Sequence, residues 1–509
     1  MDGLLLIPIG LPMMAGVVLL VSSFSEYRRG TAAGGVGKGL FGLVSGVMGI
    51  SVVLALTAAW LGDREMELFS LLKGIPVYFR VDEAGRLFVT LVSIVWLLVT
   101  VYALTYMREE KNAKRFFGFW LLLYGVLVGL DFAGNLVTMY LFYELMTLAS
   151  MPLVLHDGSR ESVMAALKYL FYSLCGAYGG LFGIFFLHRY CESLTFTSGG
   201  TLNAAAIQGQ EGTVLAAVFV MILGFGVKAG MLPFHAWLPT AHPVAPSPAS
   251  AVLSAIIVKS GVLALLRVVF YVAGTDFLRG TWVQYGWMLL SLLTVFTGSI
   301  LAYREKVFKK RLAYSTVSQV SYILFGLSLF EADAMTGAIL HVVFHAFVKC
   351  GLFLTAGIFL HCLHRQRVEE LAGIGKRMPV LMWSYTLLSL ALTGIPPACG
   401  FISKWYLARG ALQSQAGTFS WLGPVILLVS ALLTAGYLLP VSMKGFFPGK
   451  TDNDMEMRTS ERERKCPSGM LLPVVLLAGT AILTGIFPNP LIRYASDVAG
   501  KLLGMKGLG

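Results

Sequence analysis

Seven residues of proton-exchanging type lie inside long apolar runs: Glu144, Lys228, Lys259, His341, His345, Lys349 and Lys404. A charge at mid-bilayer costs about 2.5–3.5 kcal/mol even on the lenient insertion scale. Groups kept there at that cost point to ion or proton movement. Glu144 sits mid-run in LVTMYLFYELMTLASMPLVL and is the deepest acid by sequence position, Asp131 falling at the junction of two helices. In LHVVFHAFVKCGLF the spacing of four between His341, His345 and Lys349 puts all three on one helix face. Two histidines one turn apart suit a metal, but no glutamate lies between them as in HExxH, and a lysine continues the stripe. No metal site is therefore expected. A polar stripe bordering internal water fits better, with imidazole as relay. The plainer alternative is a set of static ion pairs holding a bundle together. Buried pairs are poor stabilisers, and four deep lysines outnumber the one deep acid.

The elements that must hold these residues follow from composition. Of 509 residues, 57% are hydrophobic and 13% are charged, against about 25% charged in soluble domains. Runs of about 20 apolar residues predict an all-α polytopic membrane protein with about fourteen transmembrane helices, spans at about 312–330 and 380–408 among them. Two expected spans are interrupted beside their lysines. One is GFGVKAGMLPFHAWLPTAHPVAPSPASAVLSAIIVKSG, where Pro233 and four further prolines follow Lys228. The other is LTGIPPACGFISKWYL, where Pro396 and Pro397 precede Lys404. Proline removes a backbone donor and clashes with the preceding turn. Such breaks survive in lipid only where protein or water lines them, and matching breaks suggest inverted repeats. The expected organisation is residues 1–110 as helices one to three, 111–275 as a first inverted five-helix repeat, 276–445 as a second, and 446–509 as a charged cytoplasmic linker plus helix fourteen. Broken helices seven and twelve occupy corresponding places in the repeats. The segment 62–84 reads as an extramembrane loop.

The net charge of +12 is explained by topology rather than nucleic acid. Loops after odd-numbered helices hold 23 lysines and arginines against 10 on the other side. The basic side should be cytoplasmic, with both termini outward in the plasma or inner membrane. The remaining basic residues, Lys168, Lys228, Lys259, Arg267, Lys349 and Lys404, lie within helices. Arg267 stands near a helix end and is expected to snorkel; Lys168 lies one to two turns into its span. The apolar run from Leu4 has no basic segment before it, so it reads as a retained first helix. Six scattered cysteines give no iron–sulfur or zinc spacing. Gly37–Gly42 formally matches GxGxxG but enters a membrane helix, not a strand-to-helix turn. No redox cofactor motif is present, so the chain itself is not expected to carry one.

The runs LFYELMTLASMPL, VKAGMLPFHAWLPTAHPVAPSPASAVLSAIIVKSG, FHAFVKCGLF and LTGIPPACGFISKW resemble the proton-translocating membrane subunits of complex I. They are equally similar to the large subunits of Mrp-type sodium/proton antiporters and to membrane subunits of group 4 membrane-bound hydrogenases. The resemblance spans roughly residues 80–445 in matching order, and that family also has fourteen helices. It implies a proton path: Glu144 as the fifth-helix glutamate, Lys228 as its lysine partner on the broken seventh helix, Lys259 as the central lysine, His341 and His345 on the eleventh helix, and Lys404 at the exit-side position of the broken twelfth. Some members carry glutamate at that last position. Lys349 joins the path by its stripe, as relay or support. The implied function is a proton-pumping subunit of a redox-driven complex, partnered by antiporter-like paralogues and a redox module within the lipid bilayer. The alternative is a subunit of an Mrp-type antiporter without redox chemistry. The chain ends soon after the fourteenth expected helix, which argues against the largest complex I subunit with its lateral helix.

Overall fold

The computed structural model describes residues 2–29, 35–62, 64–72, 75–449 and 466–504. Nearly all regular structure is helical. Twelve helices are long and apolar enough to cross a membrane among the described residues. The chain is a multi-pass membrane protein. Its described residues divide into two compact units: those within 2–229, 259–283 and 501–504, and those within 230–258 and 284–500.

The first unit opens with α1 (Ile7–Arg28) and α2 (Lys38–Trp60). The expected loop at 62–84 is instead a β-hairpin, β1 (Glu65–Leu72) paired antiparallel with β2 (Ile75–Arg80). EMEL in the first strand alternates polar and apolar, and IPVYFR is rich in β-branched and aromatic residues, strand signals on either side of a Lys-Gly pair that reading for membrane helices overlooked. The hairpin is anchored by main-chain bonds: Arg80 N–H donates to the Phe132 carbonyl, and Gly134 N–H to the Tyr78 carbonyl, both at 2.8 Å. Then follow α3 (Glu83–Tyr106), α4 (Ala113–Asp131), α5 (Leu136–Val154), α6 (Arg160–Tyr190) and α7 (Glu211–Ala229). Side-chain caps start three of them. Asp82 accepts from Gly85 N–H, Asn135 from Thr138 N–H, and Ser159 from Ser162 N–H, as helix N-termini demand. Gly230, at φ +77°, ends α7 one residue after Ala229 and two after Lys228. That left-handed conformation suits glycine alone, so the glycine, not Pro233, sets the break.

The second unit takes up the chain with a short helix, α8 (Leu238–Val244). The next helix, α9 (Ser247–Ala273), gives its first turns to the second unit and the rest, from Lys259, to the first. It contains two stretches of wide i→i+5 turns, Leu253–Ile257 and Arg267–Ala273; such turns recur at functional sites. The unit continues with α10 (Trp282–Arg304), α11 (Phe308–Ser328), α12 (Ala332–Leu363), α13 (Pro379–Thr393), α14 (Cys399–Gln413), α15 (Phe419–Phe446), α16 (Ser468–Ile486) and α17 (Asn489–Leu502).

The expected spans 312–330 and 380–408 are not among the twelve. The first coincides with α11, whose Ser315, Thr316, Ser318, Gln319, Ser321 and Ser328 are all fully buried. Most of these hydroxyls donate to carbonyls, for example Ser315 to Leu312 and Ser318 to Val295, both at 2.9 Å. Protein, not lipid, surrounds that polar face. The second is split into α13 and α14. Most of the expected charged linker, including Arg462, lies outside the described residues.

Candidate functional site

In the first unit, Lys228 lies in the last turn of α7 and is fully buried. Its ammonium donates to Thr147 Oγ1 (2.9 Å), the Tyr169 hydroxyl (3.1 Å) and Ser173 Oγ (2.8 Å). It also sits over the Tyr169 ring at 4.6 Å and the Tyr143 ring at 5.6 Å. Three donors meet three neutral oxygens, the full capacity of an ammonium. Glu144 is on the same helix as Thr147, one turn earlier, but forms no ion pair with Lys228. It accepts a bond from Tyr140 at 3.2 Å and is only half-buried. Depth along a helix and burial within the protein differ here. Asp131, expected at a mere junction, is 2% exposed and is the more enclosed acid. Lys259 is 1% exposed on α9. Two residues further, a Cβ on Gly261 would come within 3.1 Å of Lys228 Cβ, so this part of α9 packs directly against the Lys228 turn.

Arg267 does not snorkel. It is 1% exposed, and its guanidinium makes a two-pronged pair with Asp82, one arm at 2.8 Å. The rings of Phe196 and Tyr271 each lie 4.6 Å from it. The wide turns that begin at Arg267 carry it inward, and Asp82, distant in sequence, supplies the counter-charge that a buried arginine needs. Lys168 is half-exposed.

In the second unit, His341, His345 and Lys349 do share one buried face of α12. His341 Nδ1 is 2.9 Å from Ser403 Oγ on α14. Its ring stacks between His345 (5.8 Å) and Tyr322 (5.5 Å). Lys404 lies over the same Tyr322 ring at 5.2 Å, so Tyr322 links the histidine stripe to Lys404. The Lys404 ammonium donates to the carbonyls of Leu392 (2.6 Å) and Thr393 (2.9 Å). These are the last carbonyls of α13, left open by the helix break and carrying the negative end of its dipole. Lys349 donates to the Leu312 carbonyl at 2.9 Å and to Ser315 Oγ.

Two residues escape the sequence reading. Lys309 falls among the loop cations, yet it is 7% exposed and donates to the Ala245 carbonyl (2.9 Å) just past α8, as Lys404 does at its own break. A water-sized cavity of about 30 Å³ lies beside it, lined by Pro243, Val307, Phe308 and Gln366. His242 is fully buried with its ring stacked on Phe353 at 4.6 Å, and neither ring nitrogen has a hydrogen-bond partner among the described residues. Its place in the motif HAWLPTAHPV is the available signal, masked by prolines that read only as helix breakers.

The family model described as NADH:quinone oxidoreductase/Mrp antiporter, TM, matches residues 133–434. One described as NADH-Ubiquinone oxidoreductase (complex I), chain 5 N-terminus, matches residues 73–117. NADH-quinone oxidoreductase subunit N of Desulforudis audaxviator is 32% identical over 82% of this chain and 83% of its own length. A Na(+)/H(+) antiporter protein of Alkalihalophilus pseudofirmus is 26% identical over 99% of this chain and 98% of its own. In fold, a chain of the Mrp complex from Dietzia sp. DQ12-45-1b superposes with a TM-score of 0.83 at 20% identity, covering 99% of this chain and 97% of that one. The matched region holds all seven residues first singled out, and by model and relative alike the chain belongs to the NADH:quinone oxidoreductase/Mrp antiporter family of membrane subunits.

Proposed function

We propose that this chain is the proton-translocating membrane subunit of a multisubunit redox-driven complex, working through Glu144, Lys228 and Lys259 in the first unit and His341, His345, Lys349 and Lys404 in the second. The observation that carries this reading is Lys228: a fully buried ammonium held by three neutral hydroxyl oxygens and no carboxylate. A static structural pair would put the carboxylate in contact. Hydroxyls instead hold the cation loosely enough to give up its proton. Glu144 waits one helical turn from Thr147. A swing of Lys228 towards Glu144 stabilises the charged form, and a swing back frees the proton towards Lys259. His341 and His345 relay to Lys404, where arriving positive charge repels the resident one and drives release. Lys309, beside a water-sized cavity, and the buried His242 join this set as candidates for supplying protons to the second unit. Electrons, and the cofactors that carry them, belong to partner chains in this reading. The two five-helix repeats at 111–275 and 276–445 fit it as well, since each contains a broken helix with a lysine at the break.

A second reading has a specific observation in its favour: the Na(+)/H(+) antiporter protein of Alkalihalophilus pseudofirmus aligns with this chain over nearly the full length of both. An Mrp-type antiporter subunit without redox chemistry would use the same residues. Identifying the chains that co-purify with the native complex separates the two readings.

The residue path is tested in the assembled complex reconstituted in vesicles. Lys228→Ala is expected to lower proton transport about a hundredfold, the scale of a positioned proton-transfer group, and Glu144→Gln to lower it less. Undiminished transport in both variants overturns the path.

A further inference from the structure

Helices α1 and α4 run antiparallel and touch closely at mid-length. A Cβ on Gly16 would meet the Gly118 carbonyl oxygen at 2.6 Å, and one on Gly118 would meet Leu20 at 2.7 Å. Beyond this crossing, towards Arg28 of α1 and Ala113 of α4, lies a cavity of about 330 Å³ lined by residues of the two helices. Its lining is divided. Leu20, Phe24 and Phe119 form an apolar floor, and Glu26, Lys114 and Arg115 stand with other polar residues at the helix ends.

We propose that this cleft binds a glycerophospholipid, with its phosphodiester headgroup against Lys114 and Arg115 and its acyl chains running over Phe24 and Leu20. The charges favour an anion. Lys114 pairs with Glu26 across the mouth, which leaves the Arg115 guanidinium in excess. One of its nitrogens donates to the His156 carbonyl at 2.6 Å, fixing the group while other N–H bonds remain for a ligand. Arg28 adds a second cation at the rim, 4.9 Å from the Phe24 ring. This net excess of two cations favours an anionic phosphodiester, and basic pockets between membrane helices favour such headgroups. The floor excludes a free anion as the natural occupant, because inorganic phosphate has nothing to place against three apolar side chains. The apolar track also continues out of the cleft: Phe24, Val21 and Val17 are 58%, 64% and 48% exposed along α1. A volume of about 330 Å³ is at the low end for a ligand pocket. It suits a headgroup and the first carbons of the chains, the remainder lying on that track.

The purified complex, delipidated in detergent, is titrated with dioleoylphosphatidylglycerol and read by native mass spectrometry. Wild type is expected to retain one lipid that the Lys114→Gln/Arg115→Gln variant binds about thirtyfold more weakly, from the worth of two basic residues near a headgroup. Lys114→Arg should restore part of the loss. Phe24→Glu, at a residue more than half exposed, tests the floor without touching the cations and should also weaken binding. Equal retention in wild type and the double variant overturns the proposal. So does displacement by inorganic phosphate, which makes the cleft a simple anion site, or loss in the double variant with none in Phe24→Glu. Should the double variant fail to assemble, Phe24→Glu alone decides.

Discussion

Arg267 and Asp82 show how a buried charge is settled in this protein. Both arms of the guanidinium meet one carboxylate, two aromatic rings flank it, and almost none of it reaches solvent. Removing one partner leaves the other charge buried alone, which costs about 3–5 kcal/mol, whereas replacing both by apolar groups is often neutral. Arg267→Met and Asp82→Leu should therefore each lower the thermal midpoint of the purified complex, and the double variant should recover much of the loss. A double variant as unstable as the sum of the singles would show that the pair contributes nothing as a pair. Lys228 and Lys404 behave differently. Neutral hydroxyls or helix-end carbonyls satisfy them, and that contrast separates a structural cation from those proposed to carry protons.

Among elements, the joins matter more than the spans. The broken helices end where they do because Gly230 adopts a left-handed conformation after α7, and because Lys404 caps the open carbonyls of α13. The short connection from α5 to α6 carries a further consequence. His156, just past α5 and outside the membrane span, is packed edge-on against Phe116 at 5.3 Å. Burial, with the Arg115 charge beside it as a second cause, pushes its imidazole down to about 4. The folded state thus holds fewer protons than the unfolded chain between about pH 4 and the ordinary histidine value near 6.5. Stability from this group is complete above about pH 6.5 and is lost as pH falls towards 4, by about 3 kcal/mol at most. A melting series from pH 7 to pH 4.5 should show a decline that His156→Gln makes shallower; identical slopes would mean the ring titrates freely.

At the scale of the whole molecule, the open quantity is which way the chain crosses the membrane. The hairpin lies on the side with fewer basic loop residues, and the 304–307 connection on the richer one. In a background cleared of its native thiols, including the exposed Cys175, Ser70→Cys should react with an impermeant maleimide only from outside the cell. Lys306→Cys should react only from inside. The reverse pattern inverts the orientation derived from loop charge.

Composition and apolar run length were enough to establish a helical multi-pass protein, because lipid forces every backbone group into intrahelical bonds. The spacing of four along His341, His345 and Lys349 likewise fixed a shared helix face, since a helix leaves no other geometry. Partnership was a different matter. Nothing local in Arg267 indicates that Asp82 answers it, nor that Lys228 rests among Thr147, Tyr169 and Ser173 rather than on Glu144. The same holds for Lys309, whose place at a helix start looks solvated until the chain folds over it. The hairpin was legible in the β-branched and aromatic residues of IPVYFR but hidden by the expectation of membrane spans alone. Periodicity and transfer energy act along the chain and can be read from it. Counter-charge, burial and hydroxyl cages arise from residues far apart in sequence, so only the tertiary structure decided them.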